Sequence, residues 1–149
     1  MFMKIVLDTN VLINGLRDEN SYEKRIIDAV INGEVEAYAN KQTLQENKLL
    51  LNQLVDNPDY EYDLNRFFAR VNHVVNRRNV HVVNDREDNK ILESAVEAAA
   101  DYLITSDNDL LNINQFQNVK ITTPAGFWAN YHDESANLWQ QWTKFISGQ

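Results

Sequence analysis

Short apolar runs alternate with segments of helical period along this chain, and that alternation constrains the fold more than any other feature. The strand-like runs are residues 4–7, 35–39, 80–83, 102–105 and 119–122. The predicted helices are residues 9–16, a segment capped by Ser21 that ends near Ile31, and residues 41–55, 60–78 and 88–100. Strands separated by helices are joined by right-handed crossovers and pair mostly in parallel. The sequence therefore predicts an α/β fold, a three-layer sandwich whose mostly parallel central sheet of about five strands is flanked by helices.

No repeat, low-complexity tract or linker divides the 149 residues, so we expect one domain over residues 1–131. The tail differs in character, and residues 132–149 are expected to form an amphipathic helical extension. Five apolar side chains share one face of that helix: Leu138, Trp139, Trp142, Phe145 and Ile146. Because buried aromatic side chains dominate the energetics of protein cores, we expect the extension to dock on the domain.

Composition and charge exclude several classes of function. The chain has no cysteine, which rules out thiol catalysis and cysteine-bound zinc or iron–sulfur sites and fits a reducing cytoplasm. The first apolar run reaches Asp8 too soon for a signal peptide or a membrane span, so we expect a cytoplasmic protein without membrane contact. A formal net charge of −8 argues against a non-specific nucleic-acid coat, since phosphate binding needs lysine and arginine.

Acidic residues follow three of the predicted strands at the point where each strand ends. They are Asp8 after the first strand, Asp85 and Asp88 after the third, and Asp107 and Asp109 after the fourth, while Glu46 stands on the helix after the second. In parallel α/β sheets, ligands gather at the carboxyl ends of the strands. Crowded carboxylates repel one another, and hard divalent cations prefer oxygen ligands of this kind. The spacing therefore predicts a shared Mg²⁺ or Mn²⁺ site.

Each acid also has a structural alternative. Asp8 and Asp88 are suited to cap the helices that they begin, and residues 43–46 fit a capping box that would employ Glu46. Residues 107–109 suit a turn. These roles explain the acids one at a time, whereas three acidic sites at three strand ends favour one shared site.

Four segments of the chain share the motifs of one family. They are IVLDTNVLI at residues 5–13, DREDNKILESA at 85–95, ADYLITSDNDLL at 100–111 and ITTPAGF at 121–127. Together they resemble the PIN-domain nucleases, above all the toxin components of bacterial toxin–antitoxin pairs, and the likeness covers residues 3–127. It implies a metal-dependent endoribonuclease that acts as such a toxin, with an RNA substrate and a cognate antitoxin protein as partners.

The resemblance also implies a catalytic acidic quartet, with Asp109 as an accessory metal ligand. Its members are Asp8, Glu46, Asp88 and Asp107. The aspartates would bind the metal directly or through water, and Glu46 would orient a water or a metal. Asn47 departs from the pattern, because the family usually has leucine or a similar apolar residue there. The candidates for hydrogen bonds that aim the carboxylates are Thr9, Asn10 and Thr105.

RNA must also be held, and a run of basic residues offers a surface for it. Residues 64–83 contain no acid and carry Arg66, Arg70, Arg77 and Arg78. On the predicted helix, the side chains opposite the apolar stripe are Arg66, Arg70, His73 and Arg77. We interpret this stripe as a phosphate track or a docking face for an acidic partner, with a solvated face as the alternative.

Other function classes fit less well. A haloacid-dehalogenase-like phosphatase needs a second aspartate two residues after Asp8, where this chain has Asn10. A receiver domain needs an acidic pair near the first strand and a lysine after the fifth, where Pro124 follows Thr123. A non-catalytic RNA- or protein-binding module on a PIN scaffold is the main alternative. The sequence leaves the oligomeric state open, with a homodimer as one option.

Overall fold

The computed structural model of the protein describes residues 2–54 and 57–148, with the backbone alone for residues 134–136. The predicted end of the third helix at residue 55 lies outside the described residues. The elements, in chain order, are β1 (Met3–Leu7), α1 (Thr9–Arg17), α2 (Tyr22–Ile31), β2 (Val35–Asn40), α3 (Lys41–Leu54), α4 (Pro58–Arg70), β3 (Asn72–Val74), α5 (Arg86–Glu97), β4 (Tyr102–Ile104), α6 (Asn108–Leu111), β5 (Gln115–Phe116), β6 (Val119–Thr122) and α7 (Pro124–Ser147).

The described strands form one sheet with the order β3-β2-β1-β4-β6-β5. β5 runs antiparallel to β6, and the other neighbouring pairs are parallel. The predicted α/β fold is confirmed, with six strands in the described residues where about five were expected. The chain places β2 and β3 on one side of β1 and then crosses to place β4 on the other. β1 and β4 therefore flank the switch point, which is the position where sheets of this kind bind their ligands.

Side chains alternate between two cores because successive residues of a strand point to opposite faces of the sheet. Ile5 packs into a core shared with α1, α2, α3, α4 and α7, whereas Val6 packs into a core shared with α5 and α6. In β4, Leu103 belongs to the second core and its neighbours Tyr102 and Ile104 belong to the first. Helices thus cover both faces of the sheet and give the predicted three layers.

The ends of α2 follow the expected chemistry. Ser21 Oγ accepts a hydrogen bond from the Lys24 backbone N–H at 3.1 Å and so caps the helix. Gly33 follows the helix with a φ of 77°, a left-handed conformation that glycine adopts without a steric cost. The chain turns there and enters β2.

The helix predicted over residues 60–78 is wrong in its second half. α4 ends at Arg70, Val71 is extended, and the chain continues as β3, in which Asn72 pairs with Tyr38 of β2. The apolar spacing of α4 runs on through Val71 and Val74, although these side chains stand on extended backbone. Pairing with a strand more than thirty residues earlier in the chain overrides the local pattern, and helical spacing alone does not reveal it.

The strand predicted over residues 80–83 is also wrong, because the backbone there bonds to side chains instead of to a neighbouring strand. The N–H of Val80 donates to Glu93 Oε1 at 2.8 Å. The next N–H groups, of Val82 and Val83, both donate to Asn89 Oδ1, at 3.0 and 3.1 Å. The apolar run is therefore a loop fixed by α5.

The boundaries of α5 differ from the prediction at both ends. Asp85, and not Asp88, is the N-cap, so the helix begins at Arg86. It ends at Glu97 because the chain turns at Ala99, whose φ is 51°. The one-turn helix α6 and the two-residue strand β5 are further elements that the sequence pattern does not predict.

α7 is one helix that runs across the predicted domain boundary at residue 131. Its first turns are anchored, because Phe127 is fully buried and meets the Tyr102 ring edge-on at 5.3 Å between centroids. The extension is helical, and its apolar stripe is 54–80% exposed in the described structure. The helix continues unbroken from its anchored turns, which leaves no turn to fold the stripe back onto the domain. None of the described helices is long and apolar enough to cross a membrane.

Phe127→Ala should lower the free energy of unfolding by about 3–5 kcal/mol, because it leaves a cavity at a fully buried position. Tyr62→Ala is the matched control, since Tyr62 is 65% exposed and its loss should change stability by no more than about 0.5 kcal/mol. Urea unfolding followed by circular dichroism measures both variants. Equal losses at the two positions would contradict the assignment of the first turns of α7 to the core.

Candidate active site

Asp8 and Thr105 lie side by side at the switch point of the sheet. Asp8 directly follows β1 and Thr105 directly follows β4. The backbone N–H of Asp8 donates to the Ile104 carbonyl oxygen at 3.0 Å, and that of Thr105 donates to the Thr122 carbonyl oxygen at 3.0 Å. The hydrogen bonds of the sheet therefore set where these two side chains stand.

Thr105 links two of the predicted acids. Its side chain is fully buried, and its hydroxyl donates to Asp8 Oδ2 at 2.8 Å. The same hydroxyl oxygen accepts the backbone N–H of Asp107 at 3.0 Å. A buried hydroxyl that is satisfied in both directions holds its partners in place, so Thr105 orients the Asp8 carboxylate and the turn that carries Asp107.

Asp8 occupies the N-cap position of α1, yet its carboxylate makes no capping hydrogen bond. The residue is 7% exposed, and within the described residues it takes part in no ion pair. Its resolved side-chain partner is the Thr105 hydroxyl. The capping alternative therefore does not account for the Asp8 side chain.

Asp85 and Asp107, in contrast, do cap helices. Asp85 Oδ1 accepts the backbone N–H groups of Glu87 and Asp88 at 2.8 and 3.2 Å. Asp107 Oδ1 accepts the backbone N–H of Asp109 at 2.8 Å and begins α6. Asp107 thus has a structural role, and its second carboxylate oxygen is not used by that cap.

Asp88 is buried in the first turn of α5, where it is 7% exposed. Burial is the largest cause of a rise in its pKa, from 3.8 to about 7. The negative charges of Asp107, Asp85 and Asp8 raise the pKa further, as does a hydrogen bond between the Asp88 and Asp107 side chains. Asp8, Asp88 and Asp107 therefore interact as one cluster, the carboxylate cluster.

The structure does not gather the whole predicted set around this cluster. Glu46 is exposed on α3, and its described contact is with Gln42, whose Nε2 lies 3.5 Å from Oε1. Asp109 is exposed and lines a separate cleft of about 350 Å³ beside the loop at residues 82–84. Asn10 is exposed on α1.

α3 turns Asn47, rather than Glu46, toward the interior. Asn47 is buried, and its Oδ1 accepts a hydrogen bond from the Thr9 hydroxyl at 2.9 Å. The described partner of Thr9 is thus an amide and not a carboxylate. The sequence contains the signal for this residue, because Leu44, Asn47 and Leu51 repeat at the spacing of one inward helix face.

Asn89 is a second residue that the sequence reasoning missed. It is buried next to Asp88 on α5, and besides accepting two N–H groups it donates through Nδ2 to the Val83 carbonyl oxygen at 2.8 Å. Its amide fixes the loop that borders the cluster. A polar residue directly after a predicted site acid is too common a pattern to identify such a role.

Among the described residues, no three Asp, Glu, His or Cys side chains form a ready-made metal-binding group. Mg²⁺ does not require one, because it keeps several waters and takes one or two protein carboxylates together with substrate phosphates. Asp8 and Asp88 offer hard oxygen ligands, and burial together with the neighbouring negative charges disfavours the charged form of Asp88, as its raised pKa indicates. The donor chemistry fits a divalent cation completed by water and substrate.

A model of the PIN domain matches residues 4–109, a segment that runs from β1 to α6 and contains the whole carboxylate cluster. The chain belongs to the PIN-domain family. PIN domains are generally metal-dependent nucleases and typically use divalent ions. This PIN domain is also similar to the uncharacterized protein MJ1680 of Methanocaldococcus jannaschii, with 29% identity over 139 aligned positions; the match covers 84% of this chain and 89% of that protein.

The basic stripe predicted on one helix does not form in this PIN domain. α4 ends at Arg70, so the stripe's remaining members, His73 and Arg77, and the adjacent Arg78 lie beyond the helix. The Arg66 guanidinium lies over the Tyr62 ring, 5.4 Å from its centroid. α4 itself keeps two exposed basic residues, Arg66 and Arg70. A stripe at helical spacing needs an unbroken helix, whereas here the helix ends at Arg70 and the chain continues as β3.

The metal-free protein should lose stability as pH rises, because the pKa of Asp88 is higher in the folded state than in the unfolded chain. Between pH about 4 and 7 the folded state binds more protons than the unfolded one, so the free energy of unfolding falls across that window. Asp88→Asn should remove most of this dependence and stabilise the protein at pH 8 by on the order of 1 kcal/mol, the strength of one relieved repulsion. Thermal melts in chelator from pH 5 to pH 8 measure the stability of both proteins and its dependence on pH.

The control for this prediction is Asp109→Asn, which removes an exposed carboxylate of the same region and should keep the pH dependence of the wild type. Loss of stability at pH 8 in Asp88→Asn would contradict the prediction, because it would make the carboxylate a net stabilising group.

Proposed function

We propose that this PIN domain is a divalent-metal-dependent endoribonuclease that hydrolyses RNA phosphodiester bonds at the carboxylate cluster. The observation that carries the proposal is the burial of Asp8 and Asp88 near each other, with no cationic side chain paired to either within the described residues. Such burial costs free energy, and perturbed acids of this kind concentrate at functional sites. Helix capping accounts for the Asp85 side chain and for one oxygen of Asp107, but for neither Asp8 nor Asp88.

Asp8 and Asp88 would hold the ion, with Asp107 as a third ligand bound directly or through water. Mg²⁺ and Mn²⁺ match an all-oxygen donor set. A bound ion of this type lowers the pKa of a coordinated water and stabilises negative charge on a phosphate oxygen.

The residues of the chain position these ligands. The Thr105 hydroxyl donates its hydrogen bond to Asp8 Oδ2, so this bond does not engage the other carboxylate oxygen, Oδ1. The same threonine fixes the turn at Asp107, so one buried hydroxyl sets the separation of two ligands. Glu46 would complete the quartet that the family resemblance implies, and it would have to turn inward from its exposed position on α3.

We propose that the RNA runs over the first turn of α5 into a cleft of about 530 Å³ on its other side. Side chains able to carry positive charge line this cleft, and asparagine amides accompany them: His81, Arg86, Lys90, Asn79 and Asn84. A cleft of this volume suits one nucleotide.

The charges in the cleft support this assignment. Glu93, its acid, is already engaged, because Oε1 accepts the Val80 N–H at 2.8 Å and Oε2 accepts Asn76 Nδ2 at 3.3 Å. Arg86 forms no ion pair within the described residues, and Lys90 approaches Glu87 at 3.6 Å in a half-exposed pair. Arg86 stands two residues before Asp88, so the basic cleft and the carboxylate cluster flank one helical turn.

We also propose that the protein acts in the cytoplasm as the toxin of a toxin–antitoxin pair. The support is the likeness of residues 85–95 and 100–111 to such toxins, together with the lack of cysteine. A small protein encoded beside this gene should bind the PIN domain and inhibit RNA cleavage. A neighbouring gene product that neither binds nor inhibits would leave the nuclease proposal standing and remove the toxin role.

A non-catalytic RNA-binding module is the second candidate function. Two observations favour it: the exposed position of Glu46, and the absence among the described residues of three side chains already arranged as a metal-binding group. Under this alternative, RNA binds with or without metal and is not cut.

Asp8→Asn, Asp88→Asn and Asp107→Asn should each slow Mn²⁺- or Mg²⁺-dependent cleavage of labelled single-stranded RNA by at least about 100-fold, because each removes a metal ligand. Gel assays with and without chelator measure the rates, and chelator should abolish cleavage by the wild type. Wild-type cleavage by Asp8→Asn, or cleavage that persists in chelator, would contradict the proposed site.

The control for these variants is Asp133→Asn, which alters an exposed carboxylate on α7 and should leave cleavage unchanged. Glu46→Gln separates two forms of the site. A loss as large as that of the aspartate variants places Glu46 in a four-acid site, and retention of activity leaves a three-aspartate site.

Replacing Arg86 and Lys90 together by Gln should weaken RNA binding and reduce the slope of log affinity against log salt by about 0.7 for each phosphate that the protein no longer neutralises. Binding is measured by fluorescence anisotropy in an Asp107→Asn background, which keeps the RNA intact. The matched pair is Arg66→Gln with Arg70→Gln, which should leave the slope unchanged. A reduced slope for the Arg66 and Arg70 variant, with an unchanged slope for the Arg86 and Lys90 variant, would instead place the RNA path on α4.

A further inference from the structure

The exposed half of α7 continues the face that anchors the helix. At about 100° per residue, its five large apolar side chains fall within a sector of about 120°. They are Leu138, Trp139, Trp142, Phe145 and Ile146, and each is 54–80% exposed. Phe127, Trp128 and Tyr131 fall in the same sector and pack the first turns onto the core. This face of α7 is therefore apolar in its first turns, which pack on the core, and again over residues 138–146, which the described residues leave exposed.

We propose that residues 138–146 pair in antiparallel orientation with the same segment of a second copy of this chain, which makes the protein a homodimer. The apolar side chains are symmetric about Trp142. Leu138 and Ile146 stand four residues to either side of it, and Trp139 and Phe145 stand three residues to either side. A two-fold axis at Trp142 sets aliphatic against aliphatic and ring against ring, and a two-fold interface needs such self-complementarity.

The rest of the segment is compatible with burial of this face. Lys144 is the one charged residue of the segment, and helical geometry places it about 200° from the Trp142 position, so pairing leaves it in solvent. The Trp142 and Phe145 rings are stacked, with centroids 6.3 Å apart, and present one continuous aromatic surface. Gly148 ends the helix with a φ of 73°, so the segment is complete before the chain turns.

The area available matches what a small stable dimer needs. Each aromatic side chain of the stripe offers roughly 100–150 Å², and leucine and isoleucine offer roughly 60–100 Å² each. Two copies would bury on the order of 1,000 Å² in total, which is where specific interfaces begin. An interface of that size predicts a dimer that dissociates on dilution, and it does not depend on the nuclease activity.

Sedimentation velocity over a range of concentrations tests the dimer. The wild-type chain should shift from one copy to two as concentration rises, and Trp142→Gln should raise the dissociation constant at least about tenfold. Leu49→Gln is the matched control, because Leu49 is 67% exposed on α3 and lies outside the stripe. Circular dichroism confirms that the variants are folded. A wild type that stays monomeric at about 100 µM, or a Trp142→Gln protein that dimerises normally, overturns the proposal.

Introduced thiols test the orientation, since the chain has no cysteine of its own. In the antiparallel pair, position 138 of one copy faces position 146 of the other, while the two copies of position 138 lie about 12 Å apart along the helix axis. With a short thiol cross-linker, neither Leu138→Cys nor Ile146→Cys should give a covalent dimer by itself. A mixture of the two variants should give one. Cross-linking of Leu138→Cys alone, or none in the mixture, overturns the arrangement.

Discussion

Two buried carboxylates, Asp8 and Asp88, stand where β1 and α5 meet the carboxyl edge of the sheet, and the residues around them are arranged to hold them there. The Thr105 hydroxyl donates to Asp8, and the negative charge of Asp107 acts on Asp88. In the part of the chain that the structure describes, every buried side-chain nitrogen and oxygen has a hydrogen-bond partner. The polar groups of the interior are thus satisfied, and the repulsion among the carboxylates is the cost that remains.

That cost connects the fold to the function. A parallel sheet with its switch point between β1 and β4 brings residues from distant parts of the chain to one edge, and the chain places aspartate there. A carboxyl group whose pKa lies near 7 is poorly suited to stabilising a protein at neutral pH, since its charged form is disfavoured by burial and by its neighbours. A divalent cation would relieve the same crowding, so under the proposed function metal binding would offset a cost that the metal-free fold carries.

The cluster could be predicted from sequence because its positions depend on where strands end, and apolar runs mark those ends well at Asp8 and Asp107. The start of α5 fixes the position of Asp88, so that position does not depend on the incorrect strand predicted before it. The errors lie where distant contacts decide the structure. Residues 72–74 form a strand because β2 is available to pair with them, and residues 80–83 form a loop because Asn89 and Glu93 bind their N–H groups.

In α3 and α7, too, the local sequence pattern could be predicted and the contacts with distant residues could not. The spacing of Leu44 and Leu51 identifies the inner face of α3, yet comparison with a family pattern marks Asn47 only as a departure and does not reveal a buried hydrogen-bond acceptor. The apolar stripe of α7 is equally visible in the sequence. Periodicity shows which face is apolar, and it does not show whether the same domain or another molecule covers it.

Calorimetric titration of Mn²⁺ into the wild-type protein and into Asp8→Asn tests the central claim, that the buried carboxylates form a cation site, without relying on any RNA substrate. The wild type should show saturable binding with a dissociation constant of about 1 mM or tighter, and Asp8→Asn should bind at least about tenfold more weakly. Binding of that kind should also raise the melting temperature of the wild type, since a ligand of the folded state stabilises it. No saturable binding by the wild type, or equal binding by Asp8→Asn, would show that these carboxylates are not a cation site.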